Sequence, residues 1–112
     1  MTNETQWKTK FEQEIQHVLQ ARQNGKEGMA RVCARRAAGV VIGEYFHRRR
    51  LDQADGSAYD LLRRLGSITG VPAEAVQIAN LLLLRVTPEY HLPVDTDLLA
   101  QAQQLAQVLL ET

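Results

Sequence analysis

The chain has 112 residues, of which 45% are hydrophobic and 23% are charged. This length is typical of one domain, and this composition excludes the low-hydrophobicity profile of a disordered chain. Basic and acidic residues balance at thirteen each, which excludes a uniformly charged surface. We therefore expect residues 1–112 to form a single domain around one core.

The sequence lacks the features of an exported or membrane protein. Cys33 is the only cysteine, which excludes a disulfide within the chain and a zinc cluster built from several cysteines. Apolar runs such as the one from Leu81 to Leu84 are far too short to span a bilayer, and residues 1–10 contain no apolar run. We expect a cytoplasmic protein that does not enter the membrane.

The first helix is predicted from about residue 5 to residue 23, because apolar residues recur there at helical spacing. Its apolar stripe consists of Trp7, Phe11, Ile15, Val18 and Leu19. The dipeptide Asn24-Gly25 follows, and this pair tolerates the left-handed conformation that commonly ends a helix.

A long central helix is predicted from Lys26 to about Arg50, where the helical period continues without a proline. Residues 37–43 are apolar on every side, so we expect other helices to cover this segment all round. Gly39 and Gly43 lie four residues apart on one face, and each costs about 1 kcal/mol of helix propensity relative to alanine. We expect a neighbouring helix to approach closely at this face.

Two shorter helices are predicted next. Ser57 and Asp60 have the spacing of a capping box, which predicts the start of a third helix that ends by Gly70. Pro72 suits the first position of a fourth helix, because its missing N–H is not needed there. The fourth helix is expected to continue to about residue 87, where a proline follows.

A final helix is predicted after a non-helical turn over residues 88–93, which begins and ends with proline. Three residues offer caps and acidic first-turn side chains for this helix: Asp95, Thr96 and Asp97. The predicted fold is therefore all-α, an up-and-down bundle of four to five helices around a long central helix.

The sequence predicts neither a metal site nor a cofactor. The three histidines fall on different predicted elements, and none forms an i, i+4 pair with another histidine: His17, His47 and His91. His17 is expected at the boundary between the core and the solvent. No phosphate-binding glycine loop, nucleophile elbow or dinucleotide fingerprint is present.

Arginines concentrate near the two ends of the central helix, at Arg31, Arg35, Arg36, Arg48, Arg49 and Arg50. Residues 31–64 carry a net charge of +4 and residues 65–112 carry −4. This separation is typical of an anion-binding patch, of self-association, or of arginines paired across the fold. The adjacent pair at positions 35 and 36 has apolar surroundings, so we expect one of the two to reach inward to Glu44 or Asp60.

The segment Ala34-Arg35-Arg36-Ala37-Ala38-Gly39 and the order of the helices resemble the HEPN family, the higher-eukaryote and prokaryote nucleotide-binding domains. The resemblance implies a helical bundle that dimerises, and a small nucleotidyltransferase as a partner. Many HEPN domains are ribonucleases with an Arg-x(4–6)-His motif, which Arg85 and His91 match here. In that case Arg85 would bind the scissile phosphate and His91 would transfer a proton.

We expect the chain to be a non-catalytic, dimerising binding or assembly module. One alternative is a metal-independent ribonuclease that uses Arg85 and His91 across the dimer axis. The other is an accessory domain that binds RNA or another nucleic acid through the arginines of the central helix. Few aromatic residues accompany these arginines, so the sequence offers little for stacking bases.

Overall fold

The computed structural model describes residues 6–51, 56–84 and 97–111, and these residues form five helices and no strand. The helices are α1 (Gln6–Gln23), α2 (Glu27–Arg48), α3 (Ala58–Leu65), α4 (Ala73–Leu82) and α5 (Leu98–Leu109). The prediction of an all-α bundle is confirmed. Within the described ranges, none of the helices has the length and apolar character needed to cross a membrane.

The helices α1 and α2 form an antiparallel hairpin. Gly25 turns the chain with φ at +71°, and the N–H of Lys26 donates to the carbonyl of Ala21 at 2.8 Å. The stripe predicted for α1 is buried at Trp7, Ile15 and Val18 and half-buried at Phe11, and Ala21, outside the predicted stripe, is also buried. Leu19, which we expected in this stripe, is instead 42% exposed, because it lies about 100° around the helix from Val18.

The central helix α2 packs against α1, α3 and α5, which confirms it as the packing hub of the bundle. Its fully buried residues include Ala37, Ala38, Val41 and Ile42. The prediction that other helices cover residues 37–43 all round is wrong on one side, because Val40 and Gly43 are only half-buried. Among the described residues, α1, α3 and α5 pack against the other sides of α2 and leave this strip of its surface open.

The close approach predicted at the glycine face occurs at Gly39. A Cβ atom built on Gly39 would lie 2.9 Å from the Cβ and 3.0 Å from the Cα of Ala58, at the start of α3. These separations are shorter than ordinary van der Waals contacts. The absent side chain of Gly39 therefore lets α3 rest against the backbone of α2.

The helix α3 begins with the capping box that the sequence predicts. The hydroxyl of Ser57 accepts from the N–H of Asp60 at 3.1 Å, and the Asp60 carboxylate accepts from the N–H of Ser57 at 3.4 Å. The helix ends at Leu65, earlier than expected. Both the N–H and the hydroxyl of Ser67 donate to the carbonyl of Arg64, at 2.9 and 2.8 Å, which closes the helix with a turn.

The remaining helices begin near the predicted positions. Pro72 is the N-cap of α4, one residue outside the helix. Asp97 caps α5 by accepting from the N–H of Leu99 at 3.1 Å, as predicted. The predicted turn over residues 88–93 and the caps Asp95 and Thr96 lie outside the described residues.

Candidate functional site

One side of α2 carries a strip of residues that the other described helices do not cover. Spacings of three or four residues align these positions along one face of the helix. We call this strip the open face of α2; it consists of Met29, Val32, Arg36, Val40, Gly43 and His47. Met29 is 52% exposed and Val32 is 43% exposed, so its amino-terminal half presents apolar side chains to solvent.

The carboxyl-terminal half of the open face is the floor of a groove. The groove has a volume of about 320 Å³ and lies over Val40 and Gly43. Trp7 and Lys10 of α1 line one side, and Leu61 of α3 also lines the groove. The open face therefore combines bulky apolar side chains at one end with a hollow at the other.

Arg35 is the arginine that reaches inward, as predicted for one of the adjacent pair. Its Nε donates to the carbonyl of Leu82 at 2.6 Å, and its guanidinium also donates to the carbonyl of Leu84. These carbonyls end α4, where a cation interacts favourably with the helix dipole. Of the carboxylates we expected, Glu44 pairs with Arg48 and Asp60 caps α3.

Arg48 and Arg49 hold the end of α2 against its neighbours. The Nε of Arg48 donates to Glu44 at 2.9 Å, and its Nη1 donates to the carbonyl of Leu110 at 3.3 Å. Arg49 donates to the hydroxyl of Tyr45 at 2.6 Å, and its guanidinium lies 5.4 Å from the centre of that ring. Both side chains thus have structural roles.

The other arginines of the predicted anion-binding set lie apart. Among the described residues, Arg31, Arg36 and Arg50 take part in no ion pair. Arg36 lies on the open face, whereas Arg50, with φ at +58°, follows the end of α2. Arg31 and Arg50 are separated by about 25–30 Å along the helix at 1.5 Å per residue. The set is therefore divided between the two ends of α2.

The predicted catalytic pair, Arg85 and His91, lies outside the described residues. Arg35 donates to the carbonyls of Leu82 and Leu84, and Leu84 directly precedes Arg85 in the sequence. The ribonuclease activity implied by the HEPN resemblance stays a prediction, as do the nucleotidyltransferase partner and the binding of RNA.

A cluster of three metal-ligating side chains bridges α1 and α2. One ligand atom each from Glu14, His17 and Cys33 lies within 4.8 Å of the other two. The Nδ1 of His17 is 3.4 Å from an Oε1 of Glu14, and Cys33 is only 3% exposed. Burial raises the pKa of the Cys33 thiol, the Glu14 charge raises it further, and the nearby charge of Arg36 opposes this shift.

The spacing of the three ligands in the sequence is a signal for this cluster. Glu14 and His17 have i, i+3 spacing, so they share one side of α1. His17 and Cys33 each lie eight residues from the turn at Gly25, so an antiparallel hairpin brings them opposite each other. We did not predict the site from the sequence, because a search for paired histidines overlooks a third ligand from the neighbouring helix.

Comparison of the chain with protein-family models, with curated proteins and with solved structures found no significant match.

Proposed function

We propose that this chain is a non-catalytic helical module that associates as a homodimer through the open face of α2, and that it belongs among HEPN-like domains. The observation that carries the proposal is the exposure of Met29 and Val32 on a helix whose other sides are packed against α1, α3 and α5. Met29 and Val32 are neighbours on this face and continue into the groove over Val40, and a contiguous apolar surface supports an interaction site where singly exposed residues do not.

The shape of the open face supports a second copy of the chain as the partner. Met29 and Gly43 lie fourteen residues apart, about 21 Å along α2, with Arg36 midway between them. Two antiparallel α2 helices related by a twofold axis at Arg36 would each insert Met29 over Gly43 of the second copy. Val32 would then face Val40 of the second copy, so the bulky Met29 meets a glycine and the two valines pack against each other.

The expected affinity is modest. Met29 and Val32 are about half-exposed, so covering each contributes about 1 kcal/mol, or about 4 kcal/mol for the four side chains of a dimer. Association also costs at least about 4 kcal/mol in lost translational and rotational freedom, so burial of the groove walls has to offset that cost. A net free energy near −4 kcal/mol corresponds to a millimolar dissociation constant, and we expect dimerisation near the millimolar range.

The test is sedimentation equilibrium of wild type and of Val32→Glu, from about 10 μM to about 1 mM. Val32 is exposed in the monomer, so the substitution preserves the fold. It would replace the apolar contact between Val32 and Val40 by two carboxylates that lose hydration in the dimer, a cost that pairing with Arg36 offsets only in part, and we expect association to weaken at least about tenfold. Leu19→Glu is the matched control, because Leu19 is equally exposed but lies on α1, outside the open face.

The proposal predicts that Leu19→Glu dimerises like wild type. Wild-type protein that stays monomeric up to the highest concentration would refute self-association. Equal weakening by Leu19→Glu and Val32→Glu would refute the open face as the contact surface. Circular dichroism of the three proteins confirms that each remains folded.

A further inference from the structure

We infer that Glu14, His17 and Cys33 form a binding site for Zn²⁺ that joins α1 to α2. This site is independent of the proposed dimer, since none of its three ligands belongs to the open face. The inference rests on the convergence of three different ligand types from two helices onto one point.

The distances suit a metal ion of this size. Bonds of about 2.0–2.3 Å in tetrahedral geometry place ligand atoms about 3.3–3.8 Å apart. The His17 and Glu14 atoms are already 3.4 Å apart, and all three ligand atoms lie within 4.8 Å of one another. The side chain of His17 is 55% exposed and has room to turn towards the ion, so bringing the ligand atoms from 4.8 Å or less to tetrahedral spacing takes about 1 Å of adjustment.

The ligand types favour Zn²⁺ over Mg²⁺ or Ca²⁺. A thiolate and an imidazole are ligands of borderline and soft metals, whereas Mg²⁺ and Ca²⁺ prefer oxygen alone. The charges also balance: the thiol of Cys33 releases its proton to solvent, and the thiolate and the Glu14 carboxylate together neutralise the two charges of the ion. A neutral site avoids the cost of a net charge beside Cys33, which is only 3% exposed.

The cluster leaves one tetrahedral position for a fourth ligand. His17 is exposed, so the side of the site that it borders is open to solvent. A water molecule is the simplest occupant, which gives the three-plus-one arrangement of sites that exchange a ligand.

The experiment is titration of untagged, reduced protein with Co²⁺, followed by competition with Zn²⁺. Co²⁺ bound to the Cys33 thiolate gives a sulfur-to-metal charge-transfer band in the near ultraviolet, which reports the sulfur ligand directly. We expect one equivalent of Co²⁺ to produce the band and one equivalent of Zn²⁺ to abolish it. Zn²⁺ should also raise the Tm by roughly 5 °C or more, and Mg²⁺ should not.

Three variants distinguish the proposed ligands from neighbouring groups. His17→Gln and Glu14→Gln change side chains outside the fully buried core, so both should fold, and Cys33→Ala replaces a small buried side chain. Loss of an outer-shell partner weakens metal sites about 10–100-fold, so removal of a direct ligand should weaken binding more than about 100-fold. Glu12→Gln is the control, an exposed carboxylate on α1 that should change nothing.

The inference is wrong if wild-type protein shows no charge-transfer band with Co²⁺. It is also wrong if His17→Gln binds as tightly as wild type, because Cys33 would then bind metal without the proposed cluster. Loss of Co²⁺ binding in His17→Gln and Glu14→Gln, with retention in Glu12→Gln, supports the site whatever the stability of Cys33→Ala.

Discussion

Gly39 sets the distance between α2 and α3. A Cβ at this position would meet the Cβ and the Cα of Ala58 at 2.9 and 3.0 Å. Because these atoms cannot rotate away as the end of a long side chain can, a larger residue at position 39 requires the two helices to separate. The cost of a glycine inside a helix is offset here by close packing.

We expect Gly39→Ala to lower the free energy of unfolding by about 1–2 kcal/mol. Overpacking costs about 1–3 kcal/mol, and the gain in helix propensity returns up to about 1 kcal/mol. Gly28→Ala is the matched control, because a Cβ at Gly28 meets nothing within 4 Å. Urea denaturation should show the control to be as stable as wild type or more so; a Gly39→Ala protein of equal stability would contradict this role for Gly39.

At the scale of the elements, arginine side chains connect helix ends that are distant in sequence. Arg35 of α2 binds the last carbonyls of α4, and Arg48 binds the carbonyl of Leu110 just after α5. Arg22 at the end of α1 donates to Asp97 at 2.7 Å and lies 3.6 Å from Glu27 of α2. The contacts of Arg35 and Arg48 satisfy carbonyls that have no partner within their own helix, whereas those of Arg22 pair it with carboxylates at the starts of α2 and α5.

The link from Arg22 to Asp97 makes the docking of α5 dependent on pH. The hydrogen bond from Arg22 holds the pKa of Asp97 below its usual value. A lowered folded-state pKa means that the stabilisation is fully present above the unfolded pKa of about 3.9 and is lost as the pH falls through the lower, folded value.

Asp97→Asn tests this dependence, since asparagine caps a helix about as well as aspartate. At pH 7 we expect the free energy of unfolding of the variant to be about 0.5–1 kcal/mol lower than that of wild type. The difference is modest because the side chains of Arg22 and Asp97 are both partly exposed to solvent. The difference should shrink towards zero in acid. Urea titrations from pH 7 to pH 2 measure it, and a difference independent of pH would show that the charge of Asp97 contributes nothing.

At the scale of the whole molecule, basic and acidic residues are equal in number but unevenly distributed. Arg36 is an unpaired cation among the described residues and lies at the middle of the open face. A twofold axis through this position would bring two guanidinium groups towards each other. The proposed dimer is thus held by apolar contacts at both ends of the open face and opposed by charge at its centre.

This opposition gives the dimer an unusual response to salt. We expect association to strengthen as NaCl screens the repulsion, and Arg36→Gln to strengthen it several-fold at low salt while flattening the salt dependence. Arg31→Gln removes an arginine from a different side of α2 and should leave the response unchanged. Sedimentation equilibrium at increasing NaCl measures both effects; dimerisation that weakens with salt would argue against this axis.

The helices themselves could be predicted from local patterns. Helical periodicity located all five, the Asn24-Gly25 pair marked the end of α1, and the Ser57 capping box marked the start of α3. Each of these signals depends on residues within a few positions of one another, because hydrogen bonds of a helix and its caps are local. The ends of α3 and α4 were placed too late, since Ser67 and Arg35 close them with side-chain bonds that periodicity does not reveal.

The sequence by itself therefore determined that this protein is a helical bundle with α2 at its centre. Only the tertiary structure decided which side of α2 stays open and which residues meet across the hairpin. Met29 and Val32 belong to the same apolar pattern of α2 as Cys33, which is buried. Their exposure depends on where α1 and α3 pack against α2, and the pattern does not contain that information. Glu14, His17 and Cys33 form a cluster only because two helices bring them together, and neither helix specifies that contact alone.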